Sequence, residues 1–414
     1  MNLSFCAIVK NEEKNLPRCL ESVKAIADEL IILDTGSTDK TPEIARSFGA
    51  KVYSFDWCDD FAAARNAALA YVTGDWVLVL DADERIEPEI IPLLKQAIAV
   101  YSHLLINLMR QEIGASQSPY SLVSRLFRRH PALYFSRPYH ASIDDSLQIL
   151  LQQEPQWQIV QLPQVAILHD GYQASAIAAG NKLDRAKKAM EGYFSNHPDD
   201  AYVCSKLGAL YVQMGAPDRG IEVLKTGLAG ASIEWPVLYE LHYHLGIAYT
   251  RTAQFERAVA HYQSAIAIDI LPALKLGAYN NFGNFLKERG HFQLALEAYE
   301  IVLKIDPTLA IAHYNLGLTL KAMGKLEKAI EAYQQAIHLN PNYAAAHQNL
   351  GVVFLKIGRV SESLIAFKTA IDLYRTENSP TAEQLSRGLK EMGLDVDVEF
   401  GFNSNPKSVV NQSD

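Results

Sequence analysis

The residues best equipped for chemistry lie at the ends of short apolar runs. Lys10-Asn11-Glu12-Glu13 follows Leu3–Val9, Asp34-Thr35-Gly36-Ser37-Thr38-Asp39 follows Leu30–Leu33, and Asp81-Ala82-Asp83-Glu84 follows Trp76–Leu80. Each apolar run reads as a buried strand. The polar clusters therefore fall at strand carboxyl ends, where open α/β sheets bind their ligands. Asp81 and Asp83, two positions apart, converge on one point if the chain turns there. Crowded carboxylates repel one another unless a cation neutralises them. Hard oxygen ligands suit Mg²⁺ or Mn²⁺, which also bind substrate diphosphates.

The elements that must hold these clusters alternate. Asn15 caps a helix through Leu16, Leu20 and Val23. Thr41 is an N-cap before Pro42 at the first helical position. Lys51–Phe55 reads as a strand, Phe61–Val72 and Pro88–Val100 as helices. Tyr101–Met109, Arg125–Phe127 and Gln158–Leu168 read as later strands. Strand–helix alternation implies a mostly parallel sheet.

The second half follows a different rule. Gly208, Gly246, Gly283, Gly317 and Gly351 are spaced by 38, 37, 34 and 34. Twelve residues after each glycine stands a small residue (Gly220, Ala258, Ala295, Ala329, Ser363), and sixteen after it a large apolar one (Leu224, Tyr262, Tyr299, Tyr333, Phe367). Small residues let two antiparallel helices approach, and large ones fill the gap to the next pair. The pattern resembles the tetratricopeptide repeat, in about five units over Asp199–Tyr374. Asn281, Asn315 and Asn349 recur at a spacing of 34. Stacked repeats line such amides along a concave surface, where they grip an extended peptide or bond between repeats. The expected domains are a sheet domain over 1–190, repeats over 195–375, and a tail over 376–414 with one helix, Ala382–Met392, before a disordered end.

Thirty-eight basic and 47 acidic residues leave a formal charge of −9. That balance argues against nucleic-acid binding, which needs a basic surface. No window reaches the ~18 apolar residues of a membrane helix. The first apolar run is too short for a signal peptide and lacks a basic leader. Cys6, Cys19, Cys58 and Cys204 form no CxxC pair, so neither a zinc site nor a disulfide scaffold is suggested. The default location is the reducing cytoplasm, with peripheral attachment at an inner membrane compatible with it.

Cys6–Glu13, the Asp34–Asp39 loop, Ala64-Arg65-Asn66, Gly74-Asp75-Trp76 and Asp81–Glu84 occur in the order seen in family 2 glycosyltransferases. The resemblance covers about residues 1–190 and implies a GT-A fold, a Rossmann-like, mostly parallel α/β sheet, ahead of the all-α repeat solenoid. Within the family it points to the branch that includes bacterial lipooligosaccharide glucosyltransferases. It implies an inverting, Mn²⁺- or Mg²⁺-dependent transfer from a nucleotide-sugar donor, UDP-linked, to a glycan, lipid-linked or protein acceptor, with a protein partner or the acceptor recruited by the repeats. Asp34 would contact the base or ribose, and the turn Ile8–Glu12 would flank the nucleotide. Asp81 would hold the ribose or the metal, and Asp83 would be the principal metal ligand. Arg65 would brace the acidic cluster or touch the diphosphate. His169, in His169-Asp170-Gly171-Tyr172, matches a downstream His-x-Gly-Tyr and would complete the metal shell; its alternative is a satisfied core histidine. The branch commonly has His-Glu where this chain has His140-Ala141, so the base falls to Asp144, Asp145 or Glu84.

Other readings compete with these. Asp34-Thr35-Gly36 spells the aspartic-protease signature, but there is no second copy, and helices flank this one. Turn and helix-cap chemistry is expected of Asp39 rather than Asp34. Arg125, Arg128, Arg129 and Arg137 read as a solvated basic face, or as a contact for a phosphate-bearing acceptor. A non-catalytic repeat scaffold that only binds a nucleotide sugar is the main rival to the enzyme. A nucleotidyltransferase shares the acidic sheet design, but the chain lacks that class's glycine-rich basic first loop.

Overall fold

The computed structural model describes residues 1–115, 117–170, 180–230 and 233–394. Two compact units divide between Phe285 and Leu286.

The first unit begins with β1 (Leu3–Val9), α1 (Leu16–Val23), β2 (Glu29–Asp34), α2 (Thr41–Ser47), β3 (Lys51–Ser54), α3 (Phe61–Leu69), β4 (Trp76–Val79), β5 (Glu84–Ile86) and α4 (Ile91–Ala99). It continues with β6 (His103–Glu112), β7 (Tyr120–Arg128), α5 (Asp144–Gln153), β8 (Gln158–His169) and α6 (Gly180–Asn196). The eight strands form one sheet in the order β3-β2-β1-β4-β7-β6-β8-β5. β1 is parallel to β2 and β4, and β3 is parallel to β2. β7 runs antiparallel to β4 and β6, while β8 is parallel to β6. Three of these elements were not expected from the sequence, β5, α5 and α6. The acidic motif that ends β4 masked β5, which starts at its last residue, Glu84.

Alternation along β1 separates two apolar layers. Leu3, Phe5, Ala7 and Val9 pack with Leu16 and Leu20 of α1 and Leu94 of α4. Cys6 faces the other way with Val77 and Val79 of β4, Ala64 and Ala68 of α3, and Leu147 and Leu150 of α5. Helices therefore cover both sides of the sheet. In a flat sheet β4 and β5 would lie about 19 Å apart at ~4.8 Å per strand. The chain from Val79 to Glu84 reaches about 17 Å at full stretch. The sheet therefore curls, and its far edge returns toward the end of β4.

The helix starts differ from the expected caps. Asn15 makes no side-chain cap to α1; its amide donates to Glu12 Oε2 at 2.9 Å. Lys40, not Thr41, occupies the N-cap position of α2. The Thr41 hydroxyl instead accepts from Glu12 N at 2.7 Å and donates to Asp39 Oδ1 at 2.6 Å. Asp39 also accepts from the backbone N–H groups of Thr41 and Glu13, a turn-building role that locks the loops after β1 and β2 together.

Glu29 shows the same economy at the other end of β2. It accepts from Ser4 Oγ, Lys51 Nζ, and the backbone and hydroxyl of Thr73. Burial works against its ionised form, but these hydrogen bonds prevail and bring its pKa down to about 2. Stability from this group is therefore present above the ordinary glutamate range and is lost as pH falls toward 2. Glu29→Gln is expected to cost ~1–3 kcal/mol at pH 7 and to flatten the acid limb of a stability–pH curve. An unchanged acid limb would refute this.

The helices α7 (Ala201–Gln213), α8 (Pro217–Leu228), α9 (Trp235–Arg251), α10 (Phe255–Ala267) and α11 (Leu276–Glu288) follow in chain order, the unit boundary falling within α11. The sheet and the first repeat helices thus share one compact unit, whereas a boundary was expected near 190–195. The ion pairs of Arg137 with Asp145 at 2.9 Å and Asp200 at 2.9 Å are one tie between them.

The second unit holds α12 (Phe292–Ile305), α13 (Ala310–Ala322), α14 (Leu326–Leu339), α15 (Ala344–Lys356), α16 (Val360–Thr376) and α17 (Thr381–Glu391). The tail helix is α17, while residues 395–414, where a disordered end was expected, lie outside the described residues. The glycine register has a direct steric cause. A Cβ on Gly246 would sit 2.8 Å from the Tyr262 ring, one on Gly317 2.7 Å from Tyr333, and one on Gly351 2.9 Å from Phe367. Each partner is the large residue sixteen positions on. Gly317→Ala must push a fully buried ring aside and is expected to cost ~1–3 kcal/mol, read by urea denaturation of the second unit.

Candidate functional site

A cleft of about 1480 Å³ opens at the carboxyl ends of β1 and β4. Ile8, Glu12, Arg65, Asp81, Asp83 and His169 all line it, together with Asp144 and Asp145. Thr35, rather than Asp34, represents the second strand end in the lining. Asp34 turns its carboxylate to Ser37 N, 3.2 Å from each oxygen. The turn chemistry expected only of Asp39 thus holds for Asp34 as well.

Asp81 is held by two arginines. Arg65 Nη2 donates to Oδ1 at 2.8 Å, and Arg125 Nη2 to Oδ2 at 2.9 Å. Burial would raise its pKa, but Arg125, Arg65 and Arg110 hold the carboxyl well below the usual carboxylate range. Each Asp81 oxygen thus accepts from one arginine, while the side chain stays 38% exposed in the cleft. In the basic run only Arg129 is exposed, its Nε donating to Gly74 O at 2.9 Å. Arg125 is nearly buried, Arg128 stacks over the Trp76 ring at 4.9 Å, and Arg137 joins Asp145 to Asp200.

Below this turn lies a denser ion network. Arg110 Nη1 contacts Glu84 Oε1 at 2.7 Å, and its Nη2 contacts Glu112 Oε1 at 2.7 Å. The Glu84 side chain is 0% exposed, and it also accepts from Asp81 N at 2.8 Å. Glu84 is therefore a structural counter-ion, and its candidacy as a base fails for lack of access. The Asp145 side chain is 43% exposed and accepts from Ser136 and Arg137. Asp144 accepts from the Ser124 and Ser142 hydroxyls at the start of α5. Glu12 has a raised pKa, first from burial and then from the nearby charges of Asp83 and Asp81.

Asp83 and His169 come together through β5. Glu84 pairs with His169 across the β5–β8 ladder, and Asp170 N donates to Asp83 O at 3.1 Å. His169 Nε2 then lies 3.2 Å from Asp83 Oδ2, and its Nδ1 bonds Glu112 Oε2. Burial disfavours the imidazolium, but the bonds to Asp83 and Glu112 prevail and raise the His169 pKa to about 10. Gly171 and Tyr172 of the expected motif lie outside the described residues.

With the His169 ring deprotonated, this donor set fits a divalent cation. A carboxylate behind one imidazole nitrogen orients the other toward a metal, the usual outer support of a histidine ligand. Among the described residues no three His, Cys, Asp or Glu side chains converge as a metal site. The chain would thus supply Asp83 and His169, leaving the remaining positions to phosphate and water, as Mg²⁺ and Mn²⁺ accept. Arg65 Nε and Arg125 Nη1 are buried N–H groups with no hydrogen-bond partner among the described residues, so donor capacity exceeds what Asp81 uses. An anionic ligand suits such a surplus.

Arg110, Glu112 and Arg125 were not singled out for these roles from the sequence. One signal was present: Arg110 and Glu112 are two apart on β6 and so share a face. The asparagine ladder is committed internally. Asn281 Nδ2 donates to Tyr243 OH at 2.9 Å, Asn349 Nδ2 donates to Tyr314 OH at 3.2 Å, and Asn349 Oδ1 accepts from Lys321 Nζ. Asn315 is buried. These amides join neighbouring helices, the alternative to gripping a peptide.

Residues 4–159 match the family described as glycosyl transferase family 2. Residues 241–273 match a tetratricopeptide repeat, and 283–324 and 319–358 a TPR repeat. A TPR repeat-containing protein of Synechococcus elongatus is 45% identical over 296 residues, 72% of this chain and 73% of that protein. An uncharacterized glycosyltransferase of Rickettsia typhi is 41% identical over 88 residues, 21% of this chain and 30% of that protein. The SPbeta prophage-derived glycosyltransferase SunS of Bacillus subtilis is 41% identical over 78 residues, 18% of each chain. The chain thus spans under a third of these two glycosyltransferases. Among the described residues no helix is long and apolar enough to cross a membrane.

Proposed function

Because the chain belongs to the same family as the TPR repeat-containing protein of Synechococcus, and carries a family 2 glycosyltransferase domain ahead of its repeats, we propose that it transfers a sugar, with inversion, from a nucleoside-diphosphate donor to an acceptor hydroxyl. The observation that carries this reading is the Asp83–His169 contact, backed by Glu112, beside the arginine-held Asp81 in the cleft. Asp83 and His169 would hold Mn²⁺ or Mg²⁺. The bound ion would supply Lewis-acid stabilisation of the departing diphosphate. Arg65 and Arg125 hold positive charge beside that position, already oriented by Asp81, so little reorganisation is needed as negative charge develops. Ile8 and Glu12 flank the nucleotide at the first strand end. Asp34 contributes through its turn, which sets Thr35 in the lining.

The motif order supports the branch that includes lipooligosaccharide glucosyltransferases, and a UDP-linked donor. The repeats bring the acceptor, whether glycan, lipid-linked or protein, or a protein partner. Four free cysteines, Cys58 among them exposed, support a reducing cytoplasm.

The test is release of nucleoside diphosphate from a panel of nucleotide sugars, with Mn²⁺ or Mg²⁺ and with chelator. Metal-dependent release is expected. Binding of a nucleotide sugar without any release would instead favour the non-catalytic scaffold, and release of pyrophosphate a nucleotidyltransferase.

A further inference from the structure

The two ends of the cleft differ in charge. Beside Asp81 the arginines dominate, and two of their buried N–H groups are left over. The other end is walled by the repeats. α7 contributes Tyr202 and Lys206, and α9 contributes Glu240 and His244. Within each helix these residues are four apart and share a face. Arg137 lies 4.7 Å from the Tyr202 ring and Lys206 5.1 Å. Both cations are already neutralised. Arg137 joins Asp145 to Asp200, and Lys206 Nζ lies 2.6 Å from both oxygens of Glu240. Two more carboxylates of this end, Asp144 and Glu234, have only neutral partners among the described residues. Asp144 accepts from Ser124 and Ser142, and Glu234 accepts from Gln148 Nε2 at 2.8 Å. They lie close enough that Asp144, after burial, pushes the Glu234 pKa up. Even with Arg185 of α6, three cations face five carboxylates at this end.

Uncharged groups stand among these carboxylates. His140 and His244 line the same cleft, and neither ring makes a hydrogen bond among the described residues. Burial pushes both pKa values down, to about 3 for His140 and about 4 for His244. A neutral imidazole donates from one nitrogen and accepts at the other, and a hydroxyl can answer both. Tyr139 stands edge-on to His140 at 4.7 Å and to Phe61 at 5.8 Å. These rings give the cleft an aromatic rim on which the C–H face of a sugar can lie. The volume of about 1480 Å³ exceeds the ~300–1,000 Å³ of a single small-molecule site. Room therefore remains for an acceptor beside the donor.

We propose that the first repeat helices form the acceptor wall of the transferase, and that this wall selects an uncharged sugar over a phosphate-bearing one. The inference rests on the transferase reading above and narrows its acceptor class. A phosphate brought to this end would meet Asp144 and Glu234, which contact no cation among the described residues. It would also have to displace carboxylates already in contact with Arg137 and Lys206. Such like-charge juxtaposition excludes a wrong partner. Sugar hydroxyls meet the reverse situation. They donate to Asp144 and Glu234 and exchange hydrogen bonds with His140 and His244. Glu240 adds an oriented acceptor. Lys206 holds both its oxygens, and Ser205 Oγ takes a second site on Oε2 at 3.0 Å. An oxygen accepts two hydrogen bonds, so Oε1 keeps one site for a ligand hydroxyl.

The experiment uses the full chain with Mn²⁺ and UDP-glucose, UDP-galactose or UDP-N-acetylglucosamine as donor. Glucose, mannose and N-acetylglucosamine are offered as acceptors beside their 6-phosphates, and transfer is read by mass spectrometry. A neutral sugar is expected to react with a kcat/KM about tenfold or more above that of its 6-phosphate. Glu234 is exposed, so replacing it spares the fold. Glu234→Lys is expected to cut the preference about fivefold or more, whereas a merely structural role would slow both acceptors alike. Lys206→Met/Glu240→Gln leaves no unpaired charge, and it is expected to raise the acceptor KM about tenfold with donor KM unchanged. Equal use of a 6-phosphate, a preference that survives Glu234→Lys, or an unchanged acceptor KM in the double variant overturns this inference. UDP release to water with no sugar of the panel accepting also overturns it, and leaves the transferase reading standing. A protein that releases no UDP from any donor overturns the transferase reading and this inference with it.

Discussion

Asp83→Asn is expected to reduce metal-dependent nucleoside diphosphate release by about 10²–10³-fold, or roughly 3–4 kcal/mol of transition-state stabilisation. The Asp83 side chain is 32% exposed, so the fold loses little when its charge is removed. The consequence falls instead on the ion, which would keep one protein ligand, His169, in place of two. His169→Ala should act in the same direction, and the two losses together should be smaller than their sum because both residues serve one site. Titrating Mn²⁺ separates affinity from chemistry. A ligand role raises the Mn²⁺ concentration for half-maximal rate in both variants. Turnover within threefold of wild type in Asp83→Asn, at low Mn²⁺, would remove the basis of the proposed mechanism.

Arg110→Met is expected to cost the first unit about 3–5 kcal/mol, a large share of a domain's stability. Arg110 serves Glu84 and Glu112 at once, and the Glu84 side chain has no solvent access. Removing the guanidinium strands two carboxylates whose hydration was surrendered on folding. Arg125, 3.9 Å from Glu84 Oε1, offers only partial compensation. Adding Glu84→Gln to Arg110→Met should restore part of the loss, since an amide is cheaper to leave half-paired in the interior than a carboxylate. Urea denaturation of the three proteins checks this. A single variant that loses under 1 kcal/mol would show that water reaches the network.

Much of the framework was legible in the residues. The strand of Leu3–Val9, the fourth-strand motif and the glycine register are local patterns, and local patterns follow from which neighbours a side chain meets along one element. Gly317 and Tyr333 are sixteen apart and meet because two consecutive helices must return antiparallel. The candidate site was legible only in its strand-end half. The sequence marked Asp81, Asp83, Arg65 and His169 as chemically suited groups, but it did not say which of them would be spent on one another.

That division was decided by tertiary structure. Asp83 meets His169 across 86 positions, and Asp81 meets Arg125 across 44. A short strand hidden inside the acidic motif aligns the first pair, and the antiparallel pairing of β7 with β4 brings Arg125 to the second. Lys206 of α7 and Glu240 of α9 line the cleft only because the first repeat helices pack into the same compact unit as the sheet. Residue type and spacing determined which elements form, because those depend on contacts along the chain. Strand order and helix docking decided which charges neutralise each other, because an ion pair is worth its dehydration only at contact distance, and contact between distant positions exists only in the folded chain.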